Sequence, residues 1–165
     1  MSYIPFELLP EYSRLWIFAA DRPLSDAEAE MLVGEMQAFV QTWLAHGTPV
    51  TGSCTMKYNQ FLMVAADESS LPSGCSTDEM TRRVRMLGET YGVEFLGMPR
   101  VQYRLGDELL TLPRMEFGEL AKTGSIDSDT IVFDNTLTTI GDLKAGKWET
   151  TAKASWHSQA FDFAK

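Results

Sequence analysis

The sequence predicts an α+β protein: an antiparallel sheet with helices on one face, in ferredoxin-like (split βαβ) order, plus a C-terminal hairpin-helix-strand extension. Three observations carry that expectation. Apolar or alternating runs of strand length recur along the chain, and two long stretches carry helical periodicity with capping-box starts and glycine stops. Up to Leu105 the order reads strand, helix, strand, strand, helix, strand.

Residues 1–12 hold two prolines and read as an irregular lead-in lying over the core. The continuous apolar run 15–20 is too short for a helix and reads as a strand buried on both faces. Asp21-Arg22-Pro23 turns the chain. Ser25 and Glu28 then form a capping box, and Leu32, Met36, Phe39, Val40 and Trp43 line one stripe of a helix reaching about His46. Gly47 supplies its left-handed end, and Pro49 forbids continuation. Residues 50–58 alternate, with Val50, Gly52, Cys54, Met56 and Tyr58 on one face. A turn at Asn59-Gln60 leads into the apolar strand 61–66, and a polar loop follows over 67–72.

The second helix is expected from about Thr77 to Tyr91, with Ser76 and Glu79 as its capping box and Gly92 as its stop. Val101, Tyr103 and Leu105 alternate, Gly106-Asp107 breaks the run, and residues 109–112 resume it as a hairpin. Pro113 opens a short helix through Phe117, Leu120 and Ala121 to Gly124, and residues 129–133 read as the last strand. Beyond it the chain is polar, pinned by Trp148, Trp156 and Phe161. The organisation expected is an α+β core over 1–98 with an extension over 99–165 packed on it as one globular unit.

Composition narrows function by exclusion. The chain has 165 residues, 44% of them hydrophobic, enough for a sizeable core. Its net charge of −9 disfavours nucleic acid and anionic membrane as partners. The opening residues have no basic stretch followed by an apolar one, so no secretory signal is expected there, and no apolar run has membrane-spanning length. Two cysteines, Cys54 and Cys75, form neither a disulfide framework nor a zinc spacing. The cytoplasm is therefore the expected compartment, with no metal and no cofactor.

The candidate site residues cluster around the second helix. Cys75 stands at its start, where unpaired amides and the helix dipole favour a thiolate. As a nucleophile it would need His157 or His46 as base. Asp78 and Glu79 oppose ionisation, and Thr81 stands where a phosphatase-type loop requires arginine. Gly74, Ser76 and Thr77 together with Arg82, Arg83 and Arg85 make a locally positive stretch, suited to an anion or an acidic partner. Cys54, on the apolar strand face, reads as a core thiol. Gly141, Gly146 and Lys147 match G-x-x-x-x-G-K, but Trp148 stands where magnesium needs a hydroxyl. The leading expectation is non-catalytic binding of a protein partner or small anionic ligand. A small thiol-dependent enzyme built on Cys75 is the alternative, and a transporter-associated ATPase comes third.

The runs Tyr3-Ile4-Pro5-Phe6, Trp43-Leu44-Ala45-His46-Gly47, Tyr58-Asn59-Gln60-Phe61, Ser73-Gly74-Cys75-Ser76-Thr77-Asp78, Asp129-Thr130-Ile131-Val132-Phe133 and Ser155-Trp156-His157-Ser158 resemble a small uncharacterised bacterial family. Its members have about this length and often carry the label "ABC transporter ATPase". The resemblance covers nearly the whole chain and implies a shared fold without an activity. The label fits poorly, because the intact Walker loop and the Leu-Ser-Gly-Gly signature are missing. Locally, Tyr103 to Phe133, with Leu120, Gly124, Ile126, Asp129, Thr130 and Val132, is similar to GYF-type adaptor domains, which bind proline-rich peptides on an aromatic surface. No Gly-Tyr-Phe tripeptide is present and Trp148 lies far beyond Phe133, so the local fold is what this similarity implies.

Overall fold

The computed structural model describes residues 3–67 and 74–164, and of Cys75 the backbone alone. The chain divides into two compact units, Met1–Leu96 with Thr136–Lys144, and Gly97–Asn135 with Ala145–Lys165.

The first unit begins with a single 3-10 turn, Phe6–Leu8, and strand β1, Arg14–Ala19. Helix α1, Asp26–Thr42, opens on the predicted capping box. Ser25 Oγ accepts from Glu28 N at 3.1 Å, and Glu28 Oε1 accepts from Ser25 N at 3.2 Å. The helix stops at Thr42, short of His46. Leu44–Ala45 (β2) and Thr48–Pro49 (β3) pair as a small hairpin instead. His46 (φ 52°) and Gly47 (φ 80°) are both left-handed, the geometry a two-residue hairpin turn requires. Gly47 is thus left-handed as expected, but as the second residue of that turn.

Strands β4, Gly52–Lys57, and β5, Phe61–Ala66, complete a sheet of order β1-β5-β4 in which both pairings are antiparallel. Split βαβ order places the third strand antiparallel between the first two, as β5 stands between β1 and β4 here, and would add residues 101–105 as a fourth strand beside β1. That fourth strand is not there: residues 101–105 pair in the other sheet, so the full split βαβ sheet is not formed. Both outer edges of the three-stranded sheet are covered. Ile4 N donates to Gly52 O at 3.1 Å beside β4, while Leu15 N donates to Thr138 O at 2.9 Å beside β1. The latter contact shows why Thr136–Lys144 belongs to this unit although it follows strands of the second.

Helix α2, Gly74–Tyr91, starts earlier than predicted and stops at left-handed Gly92 (φ 69°). The predicted polar loop falls, from residue 68 onward, outside the described residues. The core of this unit joins Leu32, Met36, Phe39 and Val40 of α1 with Met80, Val84 and Leu87 of α2 and Cys54, Leu62 and Val64 of the sheet.

The second unit follows the predicted order. Strands β6, Arg100–Leu105, and β7, Glu108–Pro113, form a hairpin around Gly106 (φ 62°) and Asp107. Helix α3, Arg114–Thr123, ends at left-handed Gly124 (φ 83°), and β8, Ile131–Phe133, pairs with β6. The later elements were not anticipated. The first-unit segment carries a short helix α4, Ile140–Lys144, and Glu149–Thr151 (β9) joins the second sheet, giving the order β7-β6-β8-β9. A three-residue polar strand is too short to display alternation. A 3-10 turn at Ala152–Ala154 and the one-turn helix α5, His157–Ala160, lead into the tail. Val101, Tyr103, Phe117, Ile126, Val132 and Ala152 form the core here.

Candidate functional site

The residues singled out around α2 do not converge. Ser76 lies inside the helix, not at its cap, and is buried. Its hydroxyl donates to Leu44 O at 2.7 Å, which ties the start of α2 to the small hairpin. Glu79 therefore has no capping-box partner in Ser76. Gly74 is exposed and Thr77 half-buried, with the Thr77 carbonyl accepting from Thr81 Oγ1 at 3.0 Å. Successive helical residues stand ~100° apart, so Arg82, Arg83 and Arg85 fan over roughly 160° of the helix. All three are exposed. The guanidinium of Arg83 lies over the Phe39 ring at 5.5 Å. Arg85 faces a cleft of about 430 Å³ that also holds Asp21, Glu89 and Glu94, acids that oppose an anion there.

The Cys75 side chain lies outside the described residues. Of its two candidate bases, His46 occupies the exposed turn of the β2–β3 hairpin. His157 is 1% exposed in the second unit, and burial pulls its pKa down to about 4. It shares a hydrogen bond between Nδ1 and Ser155 Oγ and stacks on Trp156, with centroids 3.9 Å apart. The ring is enclosed by Phe117, Trp156 and Phe161. Cys54 is buried among the core residues, and desolvation pushes its thiol up to about 12.

The G-x-x-x-x-G-K stretch is not a phosphate cradle. Gly141 N donates to Glu11 O at 2.7 Å and Asp142 N to Thr139 Oγ1 at 3.1 Å. Amides that a phosphate loop leaves free are committed here within the protein. Among the described residues no group of His, Cys, Asp or Glu is arranged to hold a metal ion, and no helix is long and apolar enough to cross a membrane.

The second unit carries a different and more promising feature. A groove of about 620 Å³ runs between the β7–α3 junction and the tail, lined by Met98, Pro99, Pro113, Met115 and Phe161 with Arg114 at its wall. Met98 is 75% exposed and Met115 85% exposed, so two flexible apolar side chains flank an open apolar slot. The wall is built locally. Pro113 ends β7 and stands at the N-cap of α3, and Arg114 N donates to Pro99 O at 3.1 Å, fixing the junction. On the far side Phe161 packs on Phe117 with centroids 4.9 Å apart, and Ala164 N donates to Ala121 O at 2.9 Å, so the tail lies along α3. Gly118 permits that approach, since a Cβ there would meet the Phe161 ring at 3.4 Å. Arg114 reaches over the Trp156 and Phe161 rings, 5.2 and 5.4 Å from their centroids.

Reading the sequence for catalytic or anion-binding residues missed this feature. Met98, Arg114 and Met115 are not among the candidates it yields, and Trp156 and Phe161 read there only as pins for the tail. The available signal was the run Pro113-Arg114-Met115, a strand end, a cation and an apolar side chain in succession. Compared with protein-family models, curated proteins and solved structures, the chain finds no match.

Proposed function

We propose that this protein is a non-catalytic binding protein whose second unit receives a segment of a protein partner in the Met98–Phe161 groove. The observation that carries the proposal is the groove itself, an open apolar slot with two largely exposed methionines beside it. Soft, unbranched methionine side chains repack around different apolar surfaces, and a contiguous apolar patch on a protein surface marks an interaction site more often than chance. The cytoplasm is the compartment in which we place this activity, on the strength of two cysteines without a disulfide spacing. The resemblance to the small bacterial family fits this reading, because it brings a shared fold and no chemistry.

The test is selection of a displayed random peptide library on the whole chain. Peptides selected on the wild type are expected to lose binding at least about tenfold on a Met98→Glu, Met115→Glu double variant, which places charge in the slot without touching the core. Selected peptides that bind the variant as well as the wild type would remove the groove from consideration.

A further inference from the structure

The geometry around Arg114 points to the chemistry of the partner: we infer that the groove takes peptide segments in which an acidic side chain stands beside an apolar one, with the carboxylate received by Arg114. The inference rests on the groove being the partner site. Arg114 belongs to the first turn of α3, and its guanidinium lies against two rings, Trp156 and Phe161. Ring contact restrains the guanidinium and shields part of it from water. Its side chain makes no hydrogen bond and no ion pair among the described residues, which leaves the N–H edge without an acceptor among them. A guanidinium restrained by rings with an unmatched edge is the complement of a carboxylate, which it binds through two parallel N–H···O bonds.

The apolar side chain next to that carboxylate has its place among Met98, Pro113 and Met115. The charge balance agrees. Arg114 and Lys122 offset Glu119 and Asp162, so the lining sums to zero in a chain of net charge −9. Glu119 already faces Lys122 at 4.0 Å. Asp162 has no ion-pair partner among the described residues and works against a ligand carboxylate. An extended peptide fits an open slot of this kind because it enters and leaves through solvent, keeping only its anchoring side chains covered.

The same library selection decides the matter. Peptides selected on the wild-type chain are expected to carry Asp or Glu next to a large apolar residue. Changing that acid to its amide in a synthetic peptide should weaken binding at least about tenfold. Arg114→Gln should produce the same loss, with little added when both changes are combined. Arg114→Lys should recover only part of it, because an ammonium lacks the planar fork. Asp162→Asn should tighten binding a few-fold. Peptides that lack acids, depend on Met98 and Met115 and ignore Arg114→Gln would overturn the inference and leave the groove standing. Peptides indifferent to the methionines as well would overturn both. The amide-for-acid change in the peptide reads the carboxylate without altering the protein.

Discussion

The indole of Trp43 and the hydroxyl of Ser76 form a reciprocal tether between the two long helices of the first unit. Trp43 Nε1 donates to Ser76 O at 3.0 Å, and Ser76 Oγ donates to Leu44 O at 2.7 Å. Both side chains are buried, and removing either donor loses one bond of the tether. Trp43 also packs against Trp16 and Phe39 with centroids 6.0 and 5.6 Å apart. Trp43→Phe should destabilise the protein by about 2 kcal/mol, combining the lost bond with a gap beside Trp16. Ser76→Ala should cost about 1 kcal/mol. Glu79→Ala should change stability far less, because Ser76 serves as a tether and not as a cap. Urea unfolding of the three variants checks this, and a large loss in Glu79→Ala would restore the capping reading.

At the scale of elements, glycine separates close packing from tolerance. Gly52 sits where β4 meets α1, and a Cβ there would stand 2.8 Å from Ala65 O and 3.3 Å from Val40 Cγ1. The first neighbour is backbone within the sheet and has no room to move. Gly52→Ala should therefore cost about 1–3 kcal/mol through overpacking. Gly34, within α1, has nothing within 4 Å of a built Cβ. Gly34→Ala should stabilise by up to about 1 kcal/mol by raising helix propensity. Opposite shifts in thermal midpoint are the expected result, and a neutral Gly52→Ala would mean that the helix–sheet contact is looser than this geometry.

The same elements show what the sequence made legible. Ser25 and Glu28 marked the start of α1 because a capping box is a local bond pattern, and Cys54 was recognisable as buried because strand alternation has a fixed period. Strand partners were less accessible. The run 101–105 alternates equally well in either sheet and leaves no mark of which one it joins. The end of α1 was misread because Gly47 signals a left-handed residue without saying whether a helix or a hairpin supplies it. The groove was least legible, since its wall joins residues near 98, 114 and 161 that only the folded second unit brings together.

At the scale of the molecule, acidity and buried histidine combine to set how stability follows pH. His157 is enclosed by Trp156, Phe117 and Phe161, and the Arg114 guanidinium nearby adds to the cost of charging it. Asp134 favours the charged form, but burial dominates and the folded-state pKa falls from 6.5 to about 4. The unfolded chain then binds the proton that the folded chain refuses. Stability from the neutral ring is complete above pH 6.5 and declines as pH falls toward 4, amounting to about 3 kcal/mol across that window. His157→Gln should lower stability at pH 7 yet flatten the profile between pH 6.5 and 4, since glutamine has no proton to gain. Denaturant unfolding of both proteins at intervals from pH 7.5 to 4 measures the difference, which cancels the carboxylates common to the two chains. Parallel profiles would show that the ring is solvated enough to ionise in place, and with it that the Trp156–Phe161 wall holding Arg114 is open to water.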